Sequence, residues 1–179
     1  MDVYKKLEDS LWAATTAFME AQGLNTKVII SHTTGQEPKG DYLAIQIISL
    51  NPVGSAWKST NLNSRMGKNI SEIHDFYEIL IGFRFSGDSV GGSAVLLDTM
   101  IKNSEQTRWL YQREGLSALN KMPLRRVPVL KESKWHNAFS LDVTFTYSLI
   151  TEEEVDWIEK VDVLNLVNNR RTSVELNKL

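Results

Sequence analysis

The chain has 179 residues, 42% of them hydrophobic and 23% charged, as in ordinary globular proteins with one core. Its formal net charge of -2 gives no overall attraction for nucleic acid or anionic lipid, so charged contacts must come from local patches. The absence of cysteine excludes disulfides and thiol nucleophiles, and no signal-peptide core or membrane-spanning apolar run is recognisable, so we expect neither export nor membrane insertion.

The first predicted element is an amphipathic helix over residues 2–22. Apolar residues recur every three or four positions from Val3 to Phe18, which is the spacing of one helix face. Asp2 is suited to cap the N-terminus and Gly23 to end the helix. The sequence therefore predicts a helix with one buried face at the start of the chain.

Two strands and a long loop are predicted next. Residues 28–30 form a short apolar run, and residues 42–48 are apolar on both alternating faces, which indicates a central or interface strand. Residues 51–71 are rich in Asn and Ser and contain Pro52 and two glycines. This composition predicts a long polar loop.

The middle of the chain predicts a strand followed by two helices. Residues 73–85 alternate, with apolar side chains on one face. The turn at residues 86–89 offers a cap for a helix that runs to about Lys102, and a further helix follows Ser104 and ends before Gly115. The buried positions expected in the first of these helices are Val95, Leu96, Met100 and Ile101.

The C-terminal part is predicted to be mostly strand. Residues 116–130 suggest two short edge strands interrupted by prolines, and residues 139–149 show the cleanest period-two pattern in the chain. The acidic run from residue 151 predicts a turn and a short helix through Trp157, after which residues 161–167 close the sheet. The expected fold is a single α+β domain over residues 1–179, with a mixed, mainly antiparallel sheet, an N-terminal helix and two central helices packed on it, and a polar tail from about residue 168.

No motif for catalysis or cofactor binding is recognisable, so we predict no catalytic, metal or cofactor site. The Gly87-Asp88-Ser89 sequence resembles part of a serine hydrolase motif, but no Asp-x-x-His box accompanies it, and a turn with a helix cap is the interpretation we favour. The histidines, at positions 32, 74 and 136, form no close metal-ligand pair. The chain is therefore expected not to be an enzyme.

Two regions of opposite charge lie close together in the sequence. Residues 121–134 contain five basic residues and one acidic residue, whereas residues 152–162 contain six acidic residues and one basic residue. A head-to-tail ring interface needs two different, complementary surfaces on each subunit, although scattered surface charge is an equally simple interpretation. The interface hypothesis comprises Arg125, Arg126, Lys131, Glu152, Glu153, Glu154, Asp156 and Trp157.

A third charged segment lies in the predicted loop. Lys58, Arg65 and Lys68 have no acidic neighbour within residues 51–71. The loop is therefore predicted to contact a partner.

Two stretches of the sequence resemble phage neck and tail terminator proteins. They are Trp-His-Asn-Ala-Phe-Ser-Leu-Asp-Val-Thr-Phe-Thr-Tyr from Trp135, followed by Glu-Val-Asp-Trp-Ile-Glu-Lys-Val, and the upstream Tyr-Glu-Ile-Leu-Ile-Gly-Phe-Arg-Phe from Tyr77. The resemblance extends over about residues 42–167. The family often has an arginine before its long strand, where this chain has Asn137-Ala138, so a role for that arginine does not carry over.

The resemblance implies a virion protein assembled in the host cytoplasm. Similar proteins form a hexameric ring that caps the tail tube, stops its growth and meets the head-completion proteins, while DNA passes through the lumen without being read. The implied partners are other copies of the chain, the tube and any sheath, the head-completion proteins, and the DNA that passes through the lumen. Lys58, Arg65 and Lys68 are predicted to contact the tube, the lumen DNA or an acidic neighbour.

Three other hypotheses remain open. They are a head-closure or connector ring subunit, a small hydrolase that uses Ser89, Asp98 or Asp142 with a histidine, and a monomeric α/β binding module. Native mass and electron micrographs distinguish them, because only ring proteins form closed annuli or cap tubes.

Overall fold

The computed structural model of the chain describes residues 2–31, 37–65, 68–131, 133–155, 160–165 and 170–175. It divides into two compact units: Met1–Ser55 with Asp75–Leu149, and Ala56–His74 with Ile150–Leu179. Three helices and a mixed sheet confirm the predicted α+β class. The assignment of residues 1–179 to one domain stays a prediction.

The helices are α1 (Val3–Ala21), α2 (Val90–Asn103) and α3 (Glu105–Gln112). As predicted, the Asp2 carboxylate caps α1 by accepting a hydrogen bond from the Tyr4 backbone N–H at 3.0 Å. Gly23 follows α1 with φ of 65°, a left-handed conformation that glycine adopts at little cost. Local side-chain chemistry therefore fixes where α1 begins and ends.

Most strands belong to one seven-stranded sheet, in the order β1-β2-β4-β9-β5, with β3 paired to β4 and β6 paired to β9. The β1–β2 pair is parallel, and β2–β4 and β5–β9 are antiparallel, so the sheet is mixed. Strands β7 and β8 pair only with each other among the described residues, as do β10 and β11. The strand bounds are β1 Lys27–Ile30, β2 Tyr42–Pro52, β3 Trp57–Arg65, β4 Lys68–Ser86, β5 Leu116–Lys121, β6 Arg125–Arg126, β7 Val129–Lys131, β8 Lys134–His136, β9 Ala138–Val155, β10 Lys160–Asn165 and β11 Arg170–Glu175.

The core of the larger unit lies between the helices and one face of the sheet. Strands β4 and β9 supply the alternating apolar residues predicted from the sequence, and nearly all of them are buried. The Phe145 ring stacks on Tyr111 with 5.3 Å between ring centroids and meets Phe83 edge-on at 6.4 Å. The buried residues of the two strands are Ile79, Ile81, Phe83, Phe85, Leu141, Val143, Phe145, Tyr147 and Leu149.

The prediction for the buried face of α2 was partly wrong. Val95 is 55% exposed, whereas Ala94, Leu97 and Ile101 are buried. Helix α2 begins at Val90, whose side chain is buried. With 3.6 residues per turn, the buried face that includes Val90 also includes Ala94 and Leu97, and Val95 lies outside it. The prediction had the helix but misplaced part of its buried face.

The prediction of a loop over residues 51–71 was wrong. Strand β2 continues to Pro52, and β3 pairs antiparallel with β4 from Trp57 opposite His74 to Arg65 opposite Lys68. Backbone N–H and C=O groups satisfy one another across a strand pair whatever the side chains are, so a run of Ser and Asn does not prevent pairing. Polarity alone misidentified this hairpin as a loop.

The predicted acidic turn and short helix were also wrong over the described residues. Strand β9 continues through Glu152, Glu153 and Glu154 to Val155, in keeping with the strand preference of the β-branched residues around the glutamates. Residues 156–159, which include Asp156 and Trp157, lie outside the described residues. Residues 160–165 form β10, which pairs with β11, so part of the expected polar tail is a strand.

Candidate partner-binding surface

A charged cluster occupies the face of the sheet opposite the helices. Because side chains alternate along β9, Asp142 projects away from the core face formed by its neighbours Leu141 and Val143. The Asp142 carboxylate accepts a hydrogen bond from Arg84 Nη1 at 2.6 Å and another from Arg125 Nη2 at 2.7 Å. One carboxylate thus ties β4 and β6 to β9, and the cluster retains one unit of positive charge.

Gly82 leaves room for the Arg84 side chain. A Cβ atom at residue 82 would lie 2.8 Å from Arg84 Nη2 and 2.9 Å from its Cζ. The guanidinium therefore lies over a position that only glycine leaves free. From there Arg84 Nη1 also donates to Ser140 Oγ at 2.7 Å.

A cavity of about 500 Å³ lies beside this cluster in the larger unit. Its wall is mostly apolar, with the two guanidinium-bearing residues and two serines among the lining residues. Such a lining suits a partner segment in which an apolar side chain lies next to a carboxylate. The lining residues are Tyr42, Ala44, Arg84, Phe85, Ser86, Arg125, Val127, Val129, Ala138, Phe139 and Ser140.

The basic region predicted from the sequence is not a uniform cationic patch. Lys121 Nζ lies 2.5 Å from Asp98 Oδ1, and Arg125 binds Asp142. Arg126 Nη2 donates to Asn137 Oδ1 at 2.6 Å. Because Lys121 and Arg125 are already paired with carboxylates of their own subunit, they attract a neighbour less than the sequence suggests.

The remaining basic residues lie on an apolar arm that the sequence interpretation missed. The arm is the two-stranded sheet β7–β8, in which Leu130 pairs with Trp135 and Lys131 with Lys134. Leu130 is 56% exposed and Trp135 is 71% exposed. The turn lacks an Asn-Gly or Asp-Gly signal, and Ser133 adopts a positive φ of 65°, so the hairpin left little trace in the sequence.

The acidic side of the predicted interface is described in part. Glu152 is exposed on β9, two residues after Ile150, which is 49% exposed. Alternation along a strand places Ile150 and Glu152 on the same face. This end of β9 therefore combines an apolar side chain with a carboxylate.

The predicted partner-contact residues all lie in the second unit. Lys58 is in β3 opposite Ile73, and Arg65 and Lys68 form the last registered pair of the β3–β4 hairpin. The three residues therefore lie on strands and not on a loop. Their role in contacting a partner stays a prediction.

The residues of the hydrolase hypothesis are engaged elsewhere. Ser89 precedes α2, and its backbone N–H donates to the Asp41 carboxylate at 3.2 Å. Asp98 binds Lys121, and Asp142 binds two arginines, so neither carboxylate is positioned to orient a histidine. His74 lies 3.4 Å from Glu72 and packs on Trp57, and His32 lies outside the described residues.

Within the described part of the chain, no group of three or more histidines or carboxylates is arranged to hold a metal ion. None of the helices described is both long enough and apolar enough to cross a membrane.

Comparison with known proteins identifies the family. Residues 5–170 match the family model described as phage neck terminator protein. A search of curated proteins gives no match. Since the matched region includes nearly the whole sequence, from α1 to the start of β11, the chain belongs to the phage neck terminator family and is a structural phage protein.

Proposed function

We propose that this chain is a ring subunit that caps the finished tail tube, stops its polymerisation and joins the tail to the head-completion proteins. The family match over residues 5–170 carries the proposal, because it includes the described helices, the seven-stranded sheet and the apolar arm. The ring is a homohexamer that assembles in the host cytoplasm, contacts the tube and any sheath, and lets DNA pass without sequence readout. The protein acts by binding and not by catalysis.

The surface chemistry supports an assembly role. An exposed apolar pair on the β7–β8 arm and an apolar residue beside a carboxylate at the end of β9 are features of surfaces that bind other proteins. The hydrogen bonds of Ser89, Asp98 and Asp142 serve the fold. Binding therefore accounts for the described surface better than hydrolysis does.

The proposed subunit interface brings the basic region 121–134 of one copy towards the acidic region 152–162 of the next. Exposed ion pairs contribute only about 0–1 kcal/mol each, so these charges select register and assembly rate, while apolar contacts supply the affinity. Arg125, Arg126 and Lys131 face Glu152, Glu153, Glu154, Asp156 and Trp157 in this proposal. Lys58, Arg65 and Lys68 are proposed to contact the tube or the lumen DNA.

The pairing of Arg125 with Asp142 determines how this interface should be tested. Reversing Arg125 would place two carboxylates together and destabilise the subunit itself. Reversal of Arg126 and Lys134 to Glu avoids this for Arg126, because Arg126 Nη2 donates to the side-chain oxygen of Asn137 and not to a carboxylate. This double reversal should impair ring formation at low salt, and Glu153→Lys with Glu154→Lys should partly restore it.

The function itself is tested by native mass spectrometry and by electron microscopy of tubes grown with and without the protein. We expect a closed ring and tubes of limited length that carry a cap at one end. A monomer at high concentration that neither caps tubes nor binds a head-completion protein would refute the proposal. A ring that binds only the portal side would instead favour the head-closure or connector alternative.

A further inference from the structure

The cavity beside the Asp142 cluster has a floor of small side chains. On the sheet face opposite the helices, alternate residues of the neighbouring strands β2, β4 and β9 line it, and the register places Tyr42 opposite Ser86 and Ala44 opposite Arg84. Because four of these side chains are only alanine or serine, the face is hollow at this point. The four are Ala44, Ser86, Ala138 and Ser140.

The wall of the cavity is apolar and belongs to the segment that follows β6. Val127 and Val129 line it and are 47% and 39% exposed. The Val127 backbone N–H donates to the Ala138 carbonyl at 2.8 Å, which holds this segment at the start of β9. The wall is therefore in place in the isolated subunit, and a partner that covers the two valines does not have to order it first.

The charges at the cavity are positive. Arg84 and Arg125 line it, with side chains that are 36% and 57% exposed, and no described lining residue is acidic. Asp142, which binds both guanidinium groups, is only 7% exposed and does not line the cavity. Glu37 accepts a hydrogen bond from the Tyr42 hydroxyl but is itself exposed, so water screens its charge. A group that enters the cavity therefore meets two cations.

Both arginines keep donors for a further acceptor. Asp142 takes Nη1 of Arg84 and Nη2 of Arg125, and Arg84 Nη1 also binds Ser140. A guanidinium carries N–H donors on Nε and on both Nη atoms, so Nη2 of Arg84 and Nη1 of Arg125 still have N–H groups to donate. Carboxylates bind such donors more strongly than neutral acceptors do. A second carboxylate would also neutralise the unit of positive charge that the cluster retains.

We propose that this cavity binds a segment of a partner protein in which a carboxylate lies next to an aliphatic side chain. The carboxylate binds Arg84 and Arg125, and the aliphatic group covers Val127 and Val129. The choice of a protein partner rests on the proposed function, since a subunit that joins the tail to other proteins acts through such contacts. The backbone of duplex DNA is less suitable, because it offers phosphates but no aliphatic side chain that would cover the valines.

The site is tested on the isolated subunit with small probes that differ in one group each. N-acetyl-leucine has the carboxylate and the aliphatic side chain, N-acetyl-leucinamide lacks the charge, and N-acetylglycine lacks the side chain. Binding is followed by NMR through shifts of the backbone amides of the lining residues. We expect N-acetyl-leucine to bind with a Kd on the order of 1–10 mM, and each of the other two probes to bind at least about fivefold more weakly.

Val127→Asp tests whether the probe occupies this cavity. The new carboxylate lies in the wall, competes for the guanidinium groups and repels the probe, so binding should weaken at least about tenfold. Val95→Asp is the matched control, because it changes a valine that is 55% exposed on α2, and it should alter the Kd less than about twofold. Arg125→Gln, which leaves Asp142 paired with Arg84, should weaken binding at least about fivefold. Thermal unfolding verifies that each variant is folded.

The same variants test whether a partner protein uses the cavity. Val127→Asp should raise the concentration needed for ring formation, for tube capping or for binding of a head-completion protein at least about tenfold, while Val95→Asp should not. If Val127→Asp leaves all of these steps unchanged, no neck partner uses the cavity and the inference is wrong. It is also wrong if N-acetyl-leucine and its amide bind equally, or if inorganic phosphate binds more tightly than either.

The outcomes separate this inference from the proposed function. Normal capping by a subunit that does not bind N-acetyl-leucine at about 20 mM would overturn the cavity site and leave the ring function intact. Binding of N-acetyl-leucine at the lining residues, in a protein that neither forms rings nor caps tubes, would uphold the carboxylate site and refute the capping function.

Discussion

The centre of β9 and the β7–β8 arm are both strands with large apolar side chains, but they differ in what covers those side chains. Phe145 of β9 is fully buried against Tyr111 and Phe83, whereas Trp135 of the arm is 71% exposed. The Phe145 side chain stabilises the subunit, since folding removes it from water. The arm leaves its apolar surface available for a second molecule, so its contribution is expected at assembly.

This comparison predicts that substitutions in β9 change folding and that substitutions in the arm change association. The largest expected effect is that of Phe145→Ala. Truncation of a fully buried phenylalanine typically costs about 3–5 kcal/mol in the free energy of unfolding, and this ring also loses two aromatic contacts. Urea unfolding followed by tryptophan fluorescence measures the loss.

The control for Phe145→Ala is Thr144→Ala on the opposite face of the same strand. Thr144 is only partly buried, so its loss should cost less than about 1 kcal/mol. Equal, small effects of the two substitutions would show that the core face of β9 is wrongly assigned.

Asp142→Ala should have the next largest effect, because it removes the carboxylate that both Arg84 and Arg125 bind. Hydrogen bonds to charged groups contribute about 1.5–3 kcal/mol, and the solvent access of both arginines favours the lower end of that range. The free energy of unfolding in urea measures this effect. Asp9→Asn, which alters an exposed pair with Lys5, should change it by less than about 0.5 kcal/mol, and a similar loss in both variants would contradict the tethering role of Asp142.

The buried hydroxyl of Tyr111 predicts that the free energy of unfolding falls at alkaline pH. Burial raises the pKa of Tyr111 above its ordinary value of 10.0, against the smaller opposing effect of the hydrogen bond with Thr15. Above about pH 10 the unfolded chain loses this proton while the folded chain keeps it, so Tyr111 lowers the free energy of unfolding by up to about 1.4 kcal/mol per pH unit.

Tyr111→Phe removes the ionisable group from both states, so its stability should fall less steeply between pH 10 and 11 than that of the original protein. Unfolding in urea at several pH values measures the slope. Tyr4→Phe, at an exposed position on α1, should leave the slope unchanged. A Tyr111→Phe slope equal to that of the original protein would contradict the burial of the hydroxyl.

The smallest expected effect on subunit stability is that of Trp135→Ser. Since most of this side chain is already in water, its loss should change the free energy of unfolding of the monomer by no more than about 0.5 kcal/mol. Denaturation below the concentration of assembly measures this value. A loss as large as that of Phe145→Ala would remove the distinction between the two regions.

Much of the larger unit could be predicted from sequence because its signals are local. The capping Asp2, the stop at Gly23 and the period-two patterns of β4 and β9 each reflect interactions between residues close in the chain or on one strand face. These patterns predicted the helices, the core faces of β4 and β9 and the α+β class. They are reliable where one face is buried, since burial requires the alternation.

Other features depend on residues far apart in the sequence, and only the tertiary structure determines them. Within the 51–71 segment, residues 57–65 pair with β4 because backbone pairing between strands does not require apolar side chains, and amino-acid composition does not show this pairing. Residues 152–155 extend β9, although their charges suggest a helix start. In both cases a local preference was overridden by strand structure.

The sequence by itself determined which residues carry charge and which strand faces are apolar, because composition and alternation are properties of the chain. Only the tertiary structure decided which of these groups already have partners: Asp142 binds Arg84 and Arg125, Asp98 binds Lys121, and Trp135 is left exposed on the arm. The physical reason is that pairing and burial depend on distances between atoms of residues that are remote in sequence. The free surface of the subunit follows from those distances and not from the order of the residues.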